Sequence, residues 1–96
     1  MELRLLTTFL KVAQLQSFSK AAESLGYSQS AVTVQVQQLE NELGVRLFDR
    51  IGKTVSITHY GQEFIPYARD VVSAAARAVS FTVQERDCLL YTSDAA

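Results

Sequence analysis

FSKAAESLGYSQSAVTVQVQ, residues 18–37, decides how this chain reads. The stretch divides into a short helix, a tight turn and the start of a longer helix. Ala21, Ala22 and Leu25 give the first piece an apolar face. Gly26 stands where that helix would end, because glycine enters the left-handed cap conformation without steric cost. Ser28 stands where a new helix would begin, with a hydroxyl able to accept from a free backbone N–H.

Two helices joined through Gly26-Tyr27-Ser28 follow the plan of a helix-turn-helix, whose second helix enters the DNA major groove. Residues 5–15 supply a preceding helix, since Leu6, Phe9, Leu10 and Ala13 recur at helical spacing with Leu5 and Val12 beside them. Gln16 and Ser17 break that pattern. Ser19 is the expected N-cap of the next helix, with Phe18 packed beneath it. The third helix is expected over 29–43, ending at Gly44, with Val32, Val36, Leu39 and Leu43 inward. Its opposite face carries Gln29, Ser30, Thr33, Val34 and Gln37, uncharged and rich in hydrogen-bonding groups. A glutamine amide pairs with the two-atom edge of adenine, and hydroxyls donate or accept at base edges. Val34 is apolar on a polar face; a thymine methyl or burial against Tyr27 would each account for it.

After Gly44 the period changes. Leu47-Phe48-Asp49-Arg50 and Thr54-Val55-Ser56-Ile57 read as two short strands around Ile51-Gly52-Lys53. This makes a wing over 47–57 with Arg50 and Lys53 at its tip, placed to reach the DNA backbone or the minor groove. Thr58 is the expected N-cap of a long helix over 58–86. Phe64, Ala68, Val71, Val72, Ala75 and Val79 form a seam on it suited to a second copy of the chain. Pro66 should kink that helix near its start.

Composition bounds the function. The 96 residues suffice for one domain with a modest core, and 48% hydrophobic content fits a folded chain. No apolar run suits a membrane span and no signal peptide is evident, so the cytoplasm is expected. One cysteine makes no internal disulfide. Formal charge is −1, with +1 over residues 1–57 and −2 over the rest, so a single copy should hold DNA weakly. His59 reads as a solvated first-turn residue, Glu40 and Glu42 as solvated surface, and Cys88 as neither catalytic nor a ligand. No enzymatic site, metal site or cofactor is expected.

The pieces ELRLLTTFLKVA, SFSKAAESLGYSQSAVT, QLENELGVRLFDRIGK and SITHYGQEFIPYAR, in this order, resemble the N-terminal part of LysR-type transcriptional regulators. The resemblance implies a mainly α winged helix-turn-helix over 1–57 and then a linker helix that pairs in a homodimer. It further implies that the dimer binds imperfectly palindromic promoter DNA. Ser28 and Gln29 match the Ser-Gln that opens the recognition helix, Thr33 a Ser/Thr position, Gln35 a frequent glutamine, and Arg50 and Lys53 the basic wing. Ser30 replaces a frequent proline, Val34 a frequent arginine, and Gln37 and Gln38 basic residues. An effector-binding C-terminal domain, usual in the family, is absent from the 96 residues. CLLYTSDAA, from Cys88, departs from the family and resembles a translated sequencing adapter. Residues 87–96 are therefore expected to be a non-native or disordered tail, a divergent native tail being the alternative. The competing functional reading is a winged-helix protein–protein interaction module without DNA binding.

Overall fold

The described residues form four helices and one hairpin: α1 (Leu3–Leu15), α2 (Phe18–Leu25), α3 (Gln29–Leu43), β1 (Phe48–Ile51), β2 (Thr54–Ile57) and α4 (His59–Ala95). The computed structural model describes the backbone at 1–51 and 54–95, and side chains at 1–51 and 54–81. The expected tail, 87–96, falls outside the described side chains. The backbone of α4 continues past the expected end at 86 and runs through Pro66.

Local chemistry places the helix ends. Gln16 closes α1 in the left-handed region (φ 53°), its N–H donating to the Val12 carbonyl at 2.7 Å. Ser17, not Ser19, caps α2: its Oγ accepts from the Lys20 N–H at 3.1 Å. The reason is that Phe18 is already helical and its ring enters the core, so the cap must be the residue before it. Ser19 is exposed, its hydroxyl 3.2 Å from that of Ser17. Gly26 (φ 76°) ends α2 and Gly44 (φ 72°) ends α3, with Ser28 capping α3 through the Ala31 N–H at 3.1 Å. A Cβ on either glycine would meet nothing within 4 Å, so the requirement is the left-handed backbone and not space.

The core gathers Leu5, Leu6, Phe9 and Val12 from α1, Phe18, Ala21 and Ala22 from α2, and Val32, Val36 and Leu39 from α3. Leu47, Phe48 and Ala68 complete it. Phe9 sits between Phe48 and Phe64, with ring centroids 5.4 Å away on each side. α4 therefore belongs to the domain. Ala68 is fully buried, and Phe64, Ile65 and Val72 pack against the same core. Part of the seam expected to meet a second copy is therefore spent on the chain's own core. The apolar stripe of α1 is wider than α2 and α3 can bury, and α4 closes its open side.

The hairpin is antiparallel, pairing Phe48 with Ile57 and Ile51 with Thr54. Ile51 thus belongs to β1. Leu47 precedes the strand and is fully buried. The Glu40 carboxylate accepts from the Leu47 and Phe48 N–H groups at 2.7 and 3.3 Å, tying the end of α3 to the root of the wing. Glu40 is thus an anchor, not the solvated acid expected; Glu42 is exposed, 3.6 Å from the chain's N-terminal ammonium. Thr58 caps α4 as expected. Its Oγ1 accepts from the Gly61 N–H at 3.1 Å and donates to the Arg46 carbonyl. Gly61 has no room for a side chain, since a Cβ would meet the Leu47 carbonyl oxygen and come within 2.6 Å of Ile57 Cγ1.

Candidate nucleic-acid interface

The outward face of α3 begins at Ser28 and carries Gln29, Ser30, Val34 and Gln37, all exposed. Val34 keeps 50% of its surface open, and Tyr27 beside the turn keeps 39%. These side chains carry amide, hydroxyl and methyl groups and no formal charge. Backbone N–H groups at the start of α3 add a weak preference for an anion. The Ser28 hydroxyl is engaged as the cap and lies 3.2 Å from the Ser30 hydroxyl.

Thr33 is half-buried one turn further along. It donates to the Gln29 carbonyl at 3.1 Å and accepts from Arg50 Nη2 at 3.0 Å. Its hydroxyl proton is already used within the protein.

Gln35 does not lie on this face. It is 9% exposed, and its Oε1 accepts from Thr8 Oγ1 inside the α1–α3 contact. Position 35 is three residues after Val32 and four before Leu39, which puts it on the buried stripe at 100° per residue. The DNA-binding role that the resemblance implies for it is corrected: Gln35 ties α3 to α1. Thr8, 1% exposed, was not marked by the sequence pattern because a lone threonine in an apolar stripe carries no signal of its partner.

Arg50 also stands elsewhere than expected. It lies within β1 opposite Val55 and not at the wing tip. Its guanidinium carbon is 4.0 Å from the centroid of the Phe18 ring. Lys53, the other tip candidate, lies outside the described residues. Between the start of α2, Gln29 and the hairpin runs an open groove of about 490 Å³, bordered by Lys20, Gln29, Arg50 and Thr54. The recognition face, Lys20 and the Arg50 guanidinium thus share one side of the domain.

The seam candidates on α4 separate into two groups. Phe64, Ala68 and Val72 turn toward the chain's own core, which corrects their assignment to a surface for a second copy. Ala75 is half-buried. Val71 is 49% exposed and Val79 69%. Tyr60, Tyr67 and Phe81, not chosen from the sequence, are 56%, 67% and 60% exposed along the side of Val71. A period-seven count from Tyr60 through Tyr67 would have found the first two. His59 is exposed and pairs with Glu63 at 3.0 Å, one helical turn on. Among the described residues no group of three or more His, Cys, Asp or Glu could hold a metal, and no helix is long and apolar enough to cross a membrane.

Comparison with known proteins accords with this geometry. The profile of the bacterial regulatory helix-turn-helix proteins of the lysR family matches residues 3–62. The HTH-type transcriptional regulator HdfR of Escherichia coli is 41% identical over 90 residues, covering 91% of this chain and 32% of HdfR. The chain therefore spans about a third of the length of such curated relatives. Among solved structures, the CbnR DNA-binding domain in complex with DNA is similar with a TM-score of 0.83 and 34% identity, over 88% of this chain and 98% of that one. The BenM DNA-binding domain with catB site 1 DNA gives 0.81 and 40%, over 88% and 94%. A four-helix winged domain with a capped recognition helix, matched over most of its length by these proteins, belongs to the LysR family of bacterial regulatory helix-turn-helix proteins.

Proposed function

We propose that this chain is the DNA-binding part of a LysR-type transcriptional regulator, and that it binds promoter DNA as a homodimer with α3 in the major groove. The observation that carries the reading is the exposed, uncharged, hydrogen-bonding face of α3 set beside the wing. The likeness to CbnR and BenM domains whose structures hold DNA supports it. Gln29, Ser30, Val34 and Gln37 are the side chains placed to meet base edges, with Val34 suited to a thymine methyl. Ser28 and the N–H groups behind it meet a phosphate. Lys20, Arg50 and Lys53 supply the positive charge. The family is one of regulators and not of enzymes, and the DNA role places the protein in the cytoplasm.

The second copy sits on the outward side of α4. Tyr60, Tyr67, Val71 and Phe81 are large apolar side chains on one helix side, and nothing within the described residues buries them. A net charge of −1 gives one domain little purchase on a polyanion, so pairing two domains on two half-sites is how affinity is gained.

Titration of labelled promoter-length duplexes at several salt concentrations, with sedimentation in parallel, tests both parts. Affinity should fall with salt by a log–log slope of about 0.9 per phosphate contacted. Val71→Asp should leave a folded monomer that binds far more weakly than wild type. Salt-independent or undetectable binding to every duplex would overturn the DNA reading in favour of a protein-interaction module. An unchanged dimer in Val71→Asp would overturn the α4 interface.

A further inference from the structure

Arg50 starts on the wing and ends on the helices. Its Cα is in β1, yet its guanidinium crosses to α3 and α2, donating to Thr33 Oγ1 at 3.0 Å and lying 4.0 Å from the Phe18 ring centroid. Both partners are themselves held. The Thr33 hydroxyl gives its proton to the Gln29 carbonyl, which leaves lone pairs aimed outward for a donor. The Phe18 ring is 6% exposed and stands edge-on to Phe48 at 5.8 Å, which fixes it as a platform. Using both partners together takes a planar cation with several fixed donors; a lysine ammonium cannot stack and donate in the same way.

Among the described residues two side-chain hydrogen-bond ties link the hairpin and its root to α3. Glu40 anchors its root at Leu47 and Phe48, and Arg50 is the tie higher on the strand.

We propose that Arg50 is a positioning residue. Through Thr33 and Phe18 it fixes the angle between wing and recognition helix, so the two meet the duplex as one unit and selectivity among sequences depends on it. The functional half of this inference rests on the DNA-binding reading above. Its opposite is an arginine whose charge simply meets a phosphate and whose contacts to Thr33 and Phe18 are incidental.

Lysine and valine substitutions separate the two. The test uses the full chain and two labelled duplexes: one selected with wild type from a randomised pool, and an unselected one of equal length and composition. Thr33→Val removes the acceptor and leaves every charge in place; Arg50→Lys keeps the charge and removes the fork. Each should lower the ratio of selected to unselected affinity by roughly three- to tenfold, the range for side chains of one network. Arg50→Lys should keep the wild-type salt slope, and Arg50→Ala should lower the selected-to-unselected ratio little further once Thr33→Val is present. The inference is overturned when both conservative variants keep wild-type selectivity while Arg50→Ala weakens the two duplexes alike and lowers the slope by about one. Amide exchange in the free protein reads the same tie without DNA. Thr33→Val and Arg50→Ala should speed exchange across the hairpin relative to α1, and unchanged hairpin exchange overturns the positioning role. Failure of wild type to bind any duplex would count against the DNA reading and leave this second arm to decide.

Discussion

Helices α3 and α4 both lay an apolar stripe against the core, and they differ in what they leave outside. α3 buries Val32, Val36 and Leu39 and presents Gln29, Ser30, Val34 and Gln37. α4 buries Ala68, packs Phe64, Ile65 and Val72 inward, and presents Tyr60, Tyr67, Val71 and Phe81. A polar face is content in water and can exchange that water for base edges. An apolar face of that size is content only when covered. A shallow groove of about 210 Å³ bordered by Leu43, Val45, Tyr60 and Tyr67 extends the apolar side of α4 toward the end of α3. Under the proposed function the two helices divide the work of a symmetric DNA reader: one outward face suits a polar ligand, the other a copy of itself.

The strongest way to break this division is to remove what both helices rest on. Phe9 is fully buried and joins α4 to the wing through Phe64 and Phe48. Phe9→Ala should cost about 3–5 kcal/mol in urea unfolding, as for other large buried aromatics. Amide exchange in the remaining native population should show the first turns of α4 loosened more than α3, because α3 keeps its contacts with α2 and its Gln35 bond to α1. Equal loosening would mean that α4 is no more dependent on α1 than α3 is.

The helix-turn-helix was legible in the sequence and the assignment of α4 was only half so. Caps and periods are local: Gly26, Ser28 and Gly44 announce the ends of α2 and α3 within a few residues, and the structure puts them there. The seam on α4 was visible, but which side of it faces inward depends on how much of α1 remains uncovered, a tertiary quantity. Gln35 enters the DNA-binding set only through the family resemblance, although its position on the helix already points inward. Glu40 and Arg50 were given to solvent and to the wing tip, because their partners lie seven or more residues away in sequence. Local propensity has no means to see such partners.

A smaller effect sharpens the contrast at α3. Thr8 and Gln35 form a buried polar pair in the α1–α3 contact, and among the described residues no buried side-chain polar atom is left without a partner. Thr8→Val should cost about 1–3 kcal/mol, because the Gln35 amide oxygen is then buried unsatisfied. The double variant Thr8→Val, Gln35→Leu should recover much of that loss, since removing both partners removes the desolvation penalty. If Gln35 instead points to DNA, Thr8→Val would be nearly silent in stability, and the double variant would lose affinity without having gained stability.

The smallest effect compares the two helix starts. Ser28 caps α3 with one hydrogen bond to the Ala31 N–H, at the exposed edge of the domain. Thr58 caps α4 with a bond to the Gly61 N–H and also donates to the Arg46 carbonyl, holding the loop before the wing against the start of α4. Ser28→Ala should therefore cost about 1 kcal/mol, an ordinary cap loss. Thr58→Ala should cost somewhat more, about 1.5 kcal/mol, because it removes two hydrogen bonds instead of one. Thermal unfolding of both variants gives the comparison directly. The consequence for binding should run the other way: Ser28→Ala alters the helix end proposed to face the DNA, while Thr58→Ala lies behind the wing root. A Thr58 variant that loses more DNA affinity than the Ser28 variant, at equal folded fraction, would mean that the wing and its root govern binding more than the start of α3 does.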